Sequence, residues 1–226
     1  TNGILIPPDG YMKAVRELCD RHGILLIADE VMAGFGRTGR WFAIEHWDVV
    51  PDMITMAKGL TSAYVQLGAV GMRRPIAEAF KDRAFPGGLT YNSHTLGCAT
   101  ALATISVYED EGLIDRAVKL GGVLRERMKD LERKHPSVGT TRNIGLFGIF
   151  EVVRNRETYE PMAPFNGHSE EMTALGAFFR EQGLYTFVRW NTFFTNPPLV
   201  ISEAQLQEGL EIIDRGLEIT DRAVKA

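Results

Sequence analysis

Two short apolar runs, each ending in a charged residue, constrain the fold of this chain most strongly. Residues 24–28 (ILLIA) lead into Asp29, and residues 53–57 (MITMA) lead into Lys58. Short apolar runs between helical or loop segments are typical of strands buried in a parallel sheet. Because ligands of such sheets bind beyond the carboxyl ends of the strands, Asp29 and Lys58 are candidate site residues.

The two halves of the chain differ in their pattern. In the first half, strand-like runs alternate with helices or loops, which predicts an α/β unit. From Leu113 a stripe of apolar residues at helical spacing begins, and strands and helices follow it as an α+β unit. The predicted domains are 1–109 and 110–226. The further predicted elements are a strand at 67–72, a helix at 93–108, strands at 144–153 and 184–188, and helices at 169–182 and around Leu206 to Leu217.

The composition is that of an ordinary soluble globular protein. Of the 226 residues, 45% are hydrophobic and 24% are charged, and the net charge is −4. Without a basic cluster, nucleic acid and anionic membranes are not expected partners, and no apolar run reaches the length of a membrane span. The two cysteines, Cys19 and Cys98, form no CxxC pair, so we expect no metal site and a reducing, cytoplasmic location.

A third segment supplies a candidate phosphate site. Residues 90–94 (TYNSH) open the predicted helix at 93–108, and a helix start with a hydroxyl nearby suits phosphate. A lysine that forms a Schiff base, a carboxylate that keeps a pyridine nitrogen protonated, and donors for a phosphate are the parts that a pyridoxal phosphate site needs.

These segments resemble the class III pyridoxal-phosphate-dependent aminotransferases. Residues 26–39 (LIADEVMAGFGRTG) and 52–60 (DMITMAKGL), with LGA at 67–69, look like the signature of that family. TYNSH at 90–94 is similar to its Thr-Tyr-Ser-Gly-His stretch, and PPLV at 197–200 looks like an element near its C-terminus. The resemblance implies the C-terminal half of a fold-type-I enzyme. That half contains part of the large domain, with a mostly parallel sheet, and then a small α+β domain.

The resemblance also implies a role for five residues. Asp29 would pair with the pyridine nitrogen, and Val31 would pack on one face of the ring. Lys58 would form the Schiff base and then move the proton between substrate and cofactor. Thr90 would donate to the cofactor phosphate of the partner subunit, which implies a homodimer or homotetramer with shared active sites. Arg189 would grip the carboxylate or sulfonate of the substrate with two hydrogen bonds.

The segments at 62–68 and 188–198 most resemble ω-amino acid transaminases, including the taurine-using branch. The predicted donor is an ω-amino acid or amine such as taurine, β-alanine or 4-aminobutyrate. The predicted acceptor is a 2-oxo acid such as pyruvate or 2-oxoglutarate. Glu30 is expected to have a structural role, as a partner for a nearby basic group.

Three alternatives stay open. Residues 24–30 fit the strand-plus-acid pattern that binds magnesium in P-loop ATPases, although the chain has no G-x-x-x-x-G-K-[ST] motif. The same cofactor motifs also fit a racemase, mutase or decarboxylase built on the same scaffold. The last alternative is that the isolated chain is an inactive fragment with an exposed sheet edge.

Overall fold

The structure, a computed structural model, describes residues 3–225 and divides into two compact units. One unit runs from Pro7 to Asp115, and the other combines the N-terminal residues through Ile6 with Arg116–Ala226. Residues 1, 2 and 226, the outermost positions of the predicted domains, lie outside the described residues. The functional division at 109/110 stays a prediction.

The first unit is built on a mixed three-stranded sheet. β1 (Ile27–Asp29) and β2 (Met53–Met56) are parallel, with Asp29 opposite Thr55, and β3 (Ala69–Met72) is antiparallel to β2. The parallel pairing places the carboxyl ends of β1 and β2 at the same end of the sheet. The helices of this unit are α1 (Tyr11–His22), α2 (Arg74–Glu78) and α3 (Thr95–Asp110), with short 3-10 helices at Ala43–Trp47 and Lys58–Leu60.

The first predicted strand is shorter and more exposed than expected. It begins at Ile27 rather than at residue 24, and Ile24, Leu25 and Ile27 are 52%, 54% and 53% exposed. The parallel pairing was predicted correctly, whereas the burial was wrong. The reason is that β1 is an edge strand, with β2 as its only hydrogen-bonded neighbour among residues 3–225.

A cluster of charges around Asp52 joins α1 to the sheet. The Asp52 carboxylate accepts hydrogen bonds from Leu26 N at 2.8 Å, from Arg16 at 2.7 Å and from Arg73 at 3.2 Å. The Leu26 amide, and then the Arg16 guanidinium, hold the pKa of Asp52 below its usual range. Since Leu26 directly precedes β1 and Asp52 directly precedes β2, this buried carboxylate fixes the starts of the two strands that lead to the candidate site.

The second unit carries a five-stranded antiparallel sheet. In it, β4 (Val138–Ile144) pairs with β5 (Phe147–Asn155), β5 also pairs with β6 (Glu160–Pro161) and with β8 (Thr192–Thr195), and β8 pairs with β7 (Val188–Arg189). The stripe that begins at Leu113 was predicted correctly as core, because its members are each no more than 4% exposed. Phe150 stacks on Phe193 at 4.7 Å between ring centroids, and Phe179 meets Phe193 edge-on at 5.3 Å. The helices of this unit are α4 (Leu113–Lys134), α5 (Glu170–Glu181) and α6 (Glu203–Asp221).

A buried histidine links the end of α4 to α6. His135 is 1% exposed, and its Nδ1 and Nε2 lie 2.7 Å from Asp221 and 2.6 Å from Asp214. Ser137 also contacts Asp221 through its hydroxyl at 2.7 Å. Both ring nitrogens of this side chain are therefore engaged by carboxylates. No helix within residues 3–225 combines the length and the apolar composition needed to cross a membrane.

Candidate active site

The structure places Asp29 and Lys58 at the same end of the sheet. Asp29 is the last residue of β1, and Lys58 comes two residues after the end of the neighbouring parallel strand β2. In open α/β sheets this end is where ligands bind. An acidic and a basic side chain thus follow adjacent parallel strands.

Lys58 sits in a strained turn. Its φ is +46°, and Ser62 and Ala63 have φ values of +50° and +64°. Residues other than glycine rarely adopt this left-handed region, which costs about 1–3 kcal/mol for each residue, and such residues cluster at functional sites. Buried Thr61 braces the turn, because its hydroxyl donates to the Val65 carbonyl at 2.6 Å. The lysine therefore leaves the sheet from a conformation that its surroundings must maintain.

The same lysine lines an open cavity of about 1070 Å³. Tyr64, Phe85 and the segment 91–93 also line this cavity, so it brings Lys58 together with residues that adjoin Thr90. Thr90 itself is exposed and does not line the cavity. A space of this size accommodates a cofactor-sized ligand next to an amine.

Asp29 is exposed, and its carboxylate is oriented by the chain that follows it. Its Oδ1 accepts a hydrogen bond from the Val31 amide at 3.1 Å. Asp29 and Val31 are thus held together at the end of β1, and neither lines the cavity of Lys58. The second carboxylate oxygen of Asp29 makes this residue suited to accept from a protonated ring nitrogen.

Glu30 has the structural role that the sequence suggested, but with a different partner. It is 3% exposed, and its carboxylate accepts from the backbone amides of Ala43 at 3.0 Å and Ile44 at 2.8 Å. These amides belong to the start of a 3-10 helix, whose first N–H groups have no partner within the helix. Glu30 thus ties the end of β1 to that helix by accepting from backbone amides rather than by pairing with a basic group.

The glycine-rich loop after β1 is packed tightly. Phe35 has a φ of +56° and donates through its amide to the Trp41 carbonyl at 2.6 Å. A Cβ added to Gly34 would lie 2.8 Å from the Glu30 carbonyl oxygen, so only glycine fits there. Arg37 in this loop lies near Tyr108, and burial lowers the pKa of its guanidinium.

Arg189 lies in the second unit and lines a separate cavity there. Its guanidinium stacks on the Trp190 ring at 4.1 Å from the centroid, and Phe165 contacts the same ring at 4.3 Å between centroids. The cavity of about 400 Å³ is also lined by Arg180 and His168. The planar fork of a guanidinium matches the geometry of a carboxylate or sulfonate.

Comparison with known proteins decides the family. The model of the family Aminotransferase class-III matches residues 1–217. This chain belongs to the class III aminotransferases. Membership of this family excludes the P-loop ATPase alternative.

Several class III aminotransferases are similar to this chain. It is 36% identical to taurine–pyruvate aminotransferase of Bilophila wadsworthia, over 97% of this chain and 50% of that protein. It is also 36% identical to the probable 4-aminobutyrate aminotransferase of Bacillus subtilis (strain 168), over 95% of this chain and 48% of that protein. A similar solved structure is the crystal structure of taurine:2-oxoglutarate aminotransferase from Bifidobacterium kashiwanohense, in complex with PLP and glutamate. It superposes on this chain with a TM-score of 0.95 at 42% identity, and the match covers 99% of this chain and 50% of that one. The chain thus spans about half the length of the relatives it matches, and the predicted fold class, a partial fold-type-I α/β domain followed by an α+β domain, is confirmed.

One contact of this class III aminotransferase could not be found from its sequence. The Tyr108 hydroxyl donates to the carbonyl of Gly59, next to Lys58, at 2.9 Å. Tyr108 falls within the predicted helix at 93–108, whose alanine-rich sequence marks no side chain as special. A separation of 49 residues along the chain hides this hydrogen bond from any local pattern.

Proposed function

We propose that the whole protein is a pyridoxal-phosphate-dependent transaminase that moves an amino group from an ω-amino acid or amine to a 2-oxo acid. The observation that carries this proposal is the position of Lys58. It follows one parallel strand in a strained turn, it lines a large cavity, and the adjacent parallel strand ends in a carboxylate. Membership of the class III aminotransferases supports the same reaction class.

The residues present fit pyridoxal phosphate. Lys58 supplies the amine that bonds to the aldehyde carbon, and Asp29 supplies the carboxylate for the pyridine nitrogen. Val31 packs against the ring, and Thr90 donates to the phosphate held by the partner subunit. When bound, the cofactor supplies an electron sink for the substrate carbanion.

The side chains of this chain then have separate tasks. Lys58 would hold the cofactor through its amine, and in turnover the same amine would take the proton from the substrate carbon and return it as a general acid. Arg189, held flat against Trp190, grips the anionic end of the substrate. Residues 1–109 form the cofactor-binding part, and residues 110–226 form the small domain.

Taurine, β-alanine or 4-aminobutyrate is the proposed type of donor, and pyruvate or 2-oxoglutarate is the proposed acceptor. Relatives named for taurine, 4-aminobutyrate and putrescine support this choice. Since Thr90 serves the neighbouring site in this proposal, the protein works as a homodimer or homotetramer. A cytoplasmic location is proposed with it, and the free thiols of Cys19 and Cys98 suit a reducing compartment.

The decisive experiment is reductive trapping on the whole protein. The protein is loaded with pyridoxal phosphate, reduced with borohydride, digested and mapped by mass spectrometry. A pyridoxyl group on Lys58 is expected in the protein as encoded, and none at that position in Lys58→Ala. Absence of the group from Lys58 in the unmodified sequence would overturn the proposal.

A second assay separates the transaminase from a racemase, mutase or decarboxylase. Consumption of taurine, β-alanine and 4-aminobutyrate is followed with and without pyruvate or 2-oxoglutarate. A transaminase needs the 2-oxo acid for continued turnover, whereas the other reactions proceed without it. Good use of α-amino acids, with none of the three ω-amino donors accepted, would contradict the proposed substrate class.

A further inference from the structure

The turn that carries Lys58 is held from outside by a residue far along the chain. Lys58 and Gly59 begin a 3-10 helix of three residues that ends at Leu60. With Lys58 at a φ of +46°, the turn adopts a conformation that an isolated chain rarely populates. A fixed direction for the lysine side chain therefore needs contacts from other elements.

Tyr108, in the last turn of α3, supplies such a contact. Its hydroxyl donates to the Gly59 carbonyl at 2.9 Å, and the side chain is 8% exposed. Burial raises the pKa of Tyr108, against the opposing effect of nearby Arg37. The phenol therefore stays protonated at neutral pH and keeps its hydrogen for the Gly59 carbonyl.

Packing leaves Gly59 little freedom to move away from Tyr108. A Cβ added to Gly59 would lie 2.8 Å from Cβ of Phe35 and 3.3 Å from the Tyr108 hydroxyl. Phe35 lies 6.2 Å from the Tyr108 ring, and Trp41 meets that ring edge-on at 5.8 Å. The backbone beside Lys58 is thus clamped between the glycine-rich loop on one side and the tyrosine hydroxyl on the other.

We propose that Tyr108 is a positioning residue for Lys58, acting through the carbonyl of Gly59. The hydroxyl sets the orientation of the peptide that follows Lys58, and so the direction from which the lysine amine meets the aldehyde of the cofactor. This inference rests on the proposed function. It predicts that the loss of one oxygen atom from Tyr108 impairs the covalent step at Lys58 while the cofactor still binds.

The test compares Tyr108→Phe with the protein as encoded, using two forms of the cofactor. Pyridoxal phosphate reacts with Lys58: the amine adds to the aldehyde carbon and the aldehyde oxygen leaves as water. Pyridoxamine phosphate has no aldehyde and binds without a covalent bond to the lysine. Two quantities are measured on the cofactor-free whole protein. The first is the rate of Lys58 capture, meaning bond formation between Lys58 and pyridoxal phosphate, followed by timed quenching with borohydride. The second is the dissociation constant of pyridoxamine phosphate.

The substitution preserves the ring that packs on Phe35 and Trp41. We expect capture of Lys58 to slow on the order of tenfold in Tyr108→Phe, because one hydrogen bond to the turn is lost and the amine is less well directed. The pyridoxamine phosphate affinity and the thermal midpoint stay within the range of Tyr11→Phe, a control on an exposed tyrosine in α1. A purely structural role would weaken both cofactor forms together.

Two results overturn the inference. One is an unchanged capture rate in Tyr108→Phe, and the other is a loss of pyridoxamine phosphate affinity in proportion to the loss of capture. Both differ from a failure of the proposed function, in which Lys58 of the protein as encoded carries no pyridoxyl group at all.

Discussion

Two adjacent glycines in α4 provide a matched pair for testing how tightly the second unit is packed. Gly121 is buried, and a Cβ added to it would lie 2.7 Å from the Cα, C and O atoms of Gly145. Gly122 is exposed, and an added Cβ would meet nothing within 4 Å. Alanine at either position changes the intrinsic helix propensity by the same amount, so the two variants differ only in their surroundings.

The expected effects have opposite signs. Gly122→Ala should stabilise the protein by about 0.5–1 kcal/mol, because alanine loses less backbone entropy in a helix than glycine does. Gly121→Ala has the same gain, but its methyl group meets backbone atoms that cannot rotate away, and overpacking costs about 1–3 kcal/mol. Moving the helix away would also strain Asn143, whose amide donates to the carbonyls of Gly121 and Gly145 at 2.9 Å each, at about 1 kcal/mol per weakened bond. With one or both hydrogen bonds weakened, the net expectation for Gly121→Ala is a loss of about 1–4.5 kcal/mol.

Urea unfolding of the whole protein, followed by far-ultraviolet circular dichroism, measures both variants under one set of conditions. The midpoint should rise for Gly122→Ala and fall for Gly121→Ala. Equal stability of the two variants would refute the reasoning, because it would show that α4 and the turn at Gly145 separate at no cost.

Three other perturbations follow from polar contacts. Arg154 holds Glu171 through two hydrogen bonds of 2.9 and 2.8 Å, which lower the pKa of Glu171 from 4.5 to about 2. A lowered carboxyl pKa stabilises the fold above the ordinary pKa. Arg154→Gln should therefore lower the free energy of unfolding by about 1–2 kcal/mol at pH 7. In urea titrations this difference from the protein as encoded should shrink as the pH falls from 4.5 toward 2. A difference independent of pH would contradict the pairing. In His135→Asn, the asparagine can satisfy only one of the two flanking aspartates. A loss of about 2 kcal/mol in the free energy of unfolding is therefore expected in urea titrations at neutral pH. A change within error would count against a structural role for this histidine. Glu30→Gln turns one of the two acceptor oxygens into an NH₂ group that faces a backbone N–H. The thermal midpoint should therefore drop, with a loss of about 1–3 kcal/mol in the free energy of unfolding. Glu45→Gln, on the exposed side of the same 3-10 helix, should have a smaller effect.

The sequence predicted those features that depend on local pattern. The positions of Asp29 and Lys58 at the carboxyl ends of neighbouring strands follow from the sequence, because a short apolar run that ends in a polar residue marks the end of a strand. The stripe from Leu113 was found because its period matches one face of a helix.

Features that depend on distant partners escaped prediction. β4 (Val138–Ile144) is largely polar, and it was missed because its buried Thr141 and Asn143 are satisfied by Glu132 and by the carbonyl of Gly121. The apolar run at 24–28 predicts burial without saying what covers it. Ile24 and Leu25 are instead exposed next to an edge strand, as the alternative of a fragment with an exposed sheet edge predicts.

The two motifs that identify the family form one physical unit in this structure. The glycine-rich loop does not simply follow β1, since Phe35 lies close enough to Gly59 that no side chain fits between them. Gly34 packs against the Glu30 carbonyl, and Phe35, the next residue, adopts a left-handed conformation. The glycines after β1 therefore allow the loop to support the turn after β2, where Lys58 stands. A substitution in the glycine-rich loop should consequently shift the turn that carries Lys58, even though the two segments are far apart in the sequence.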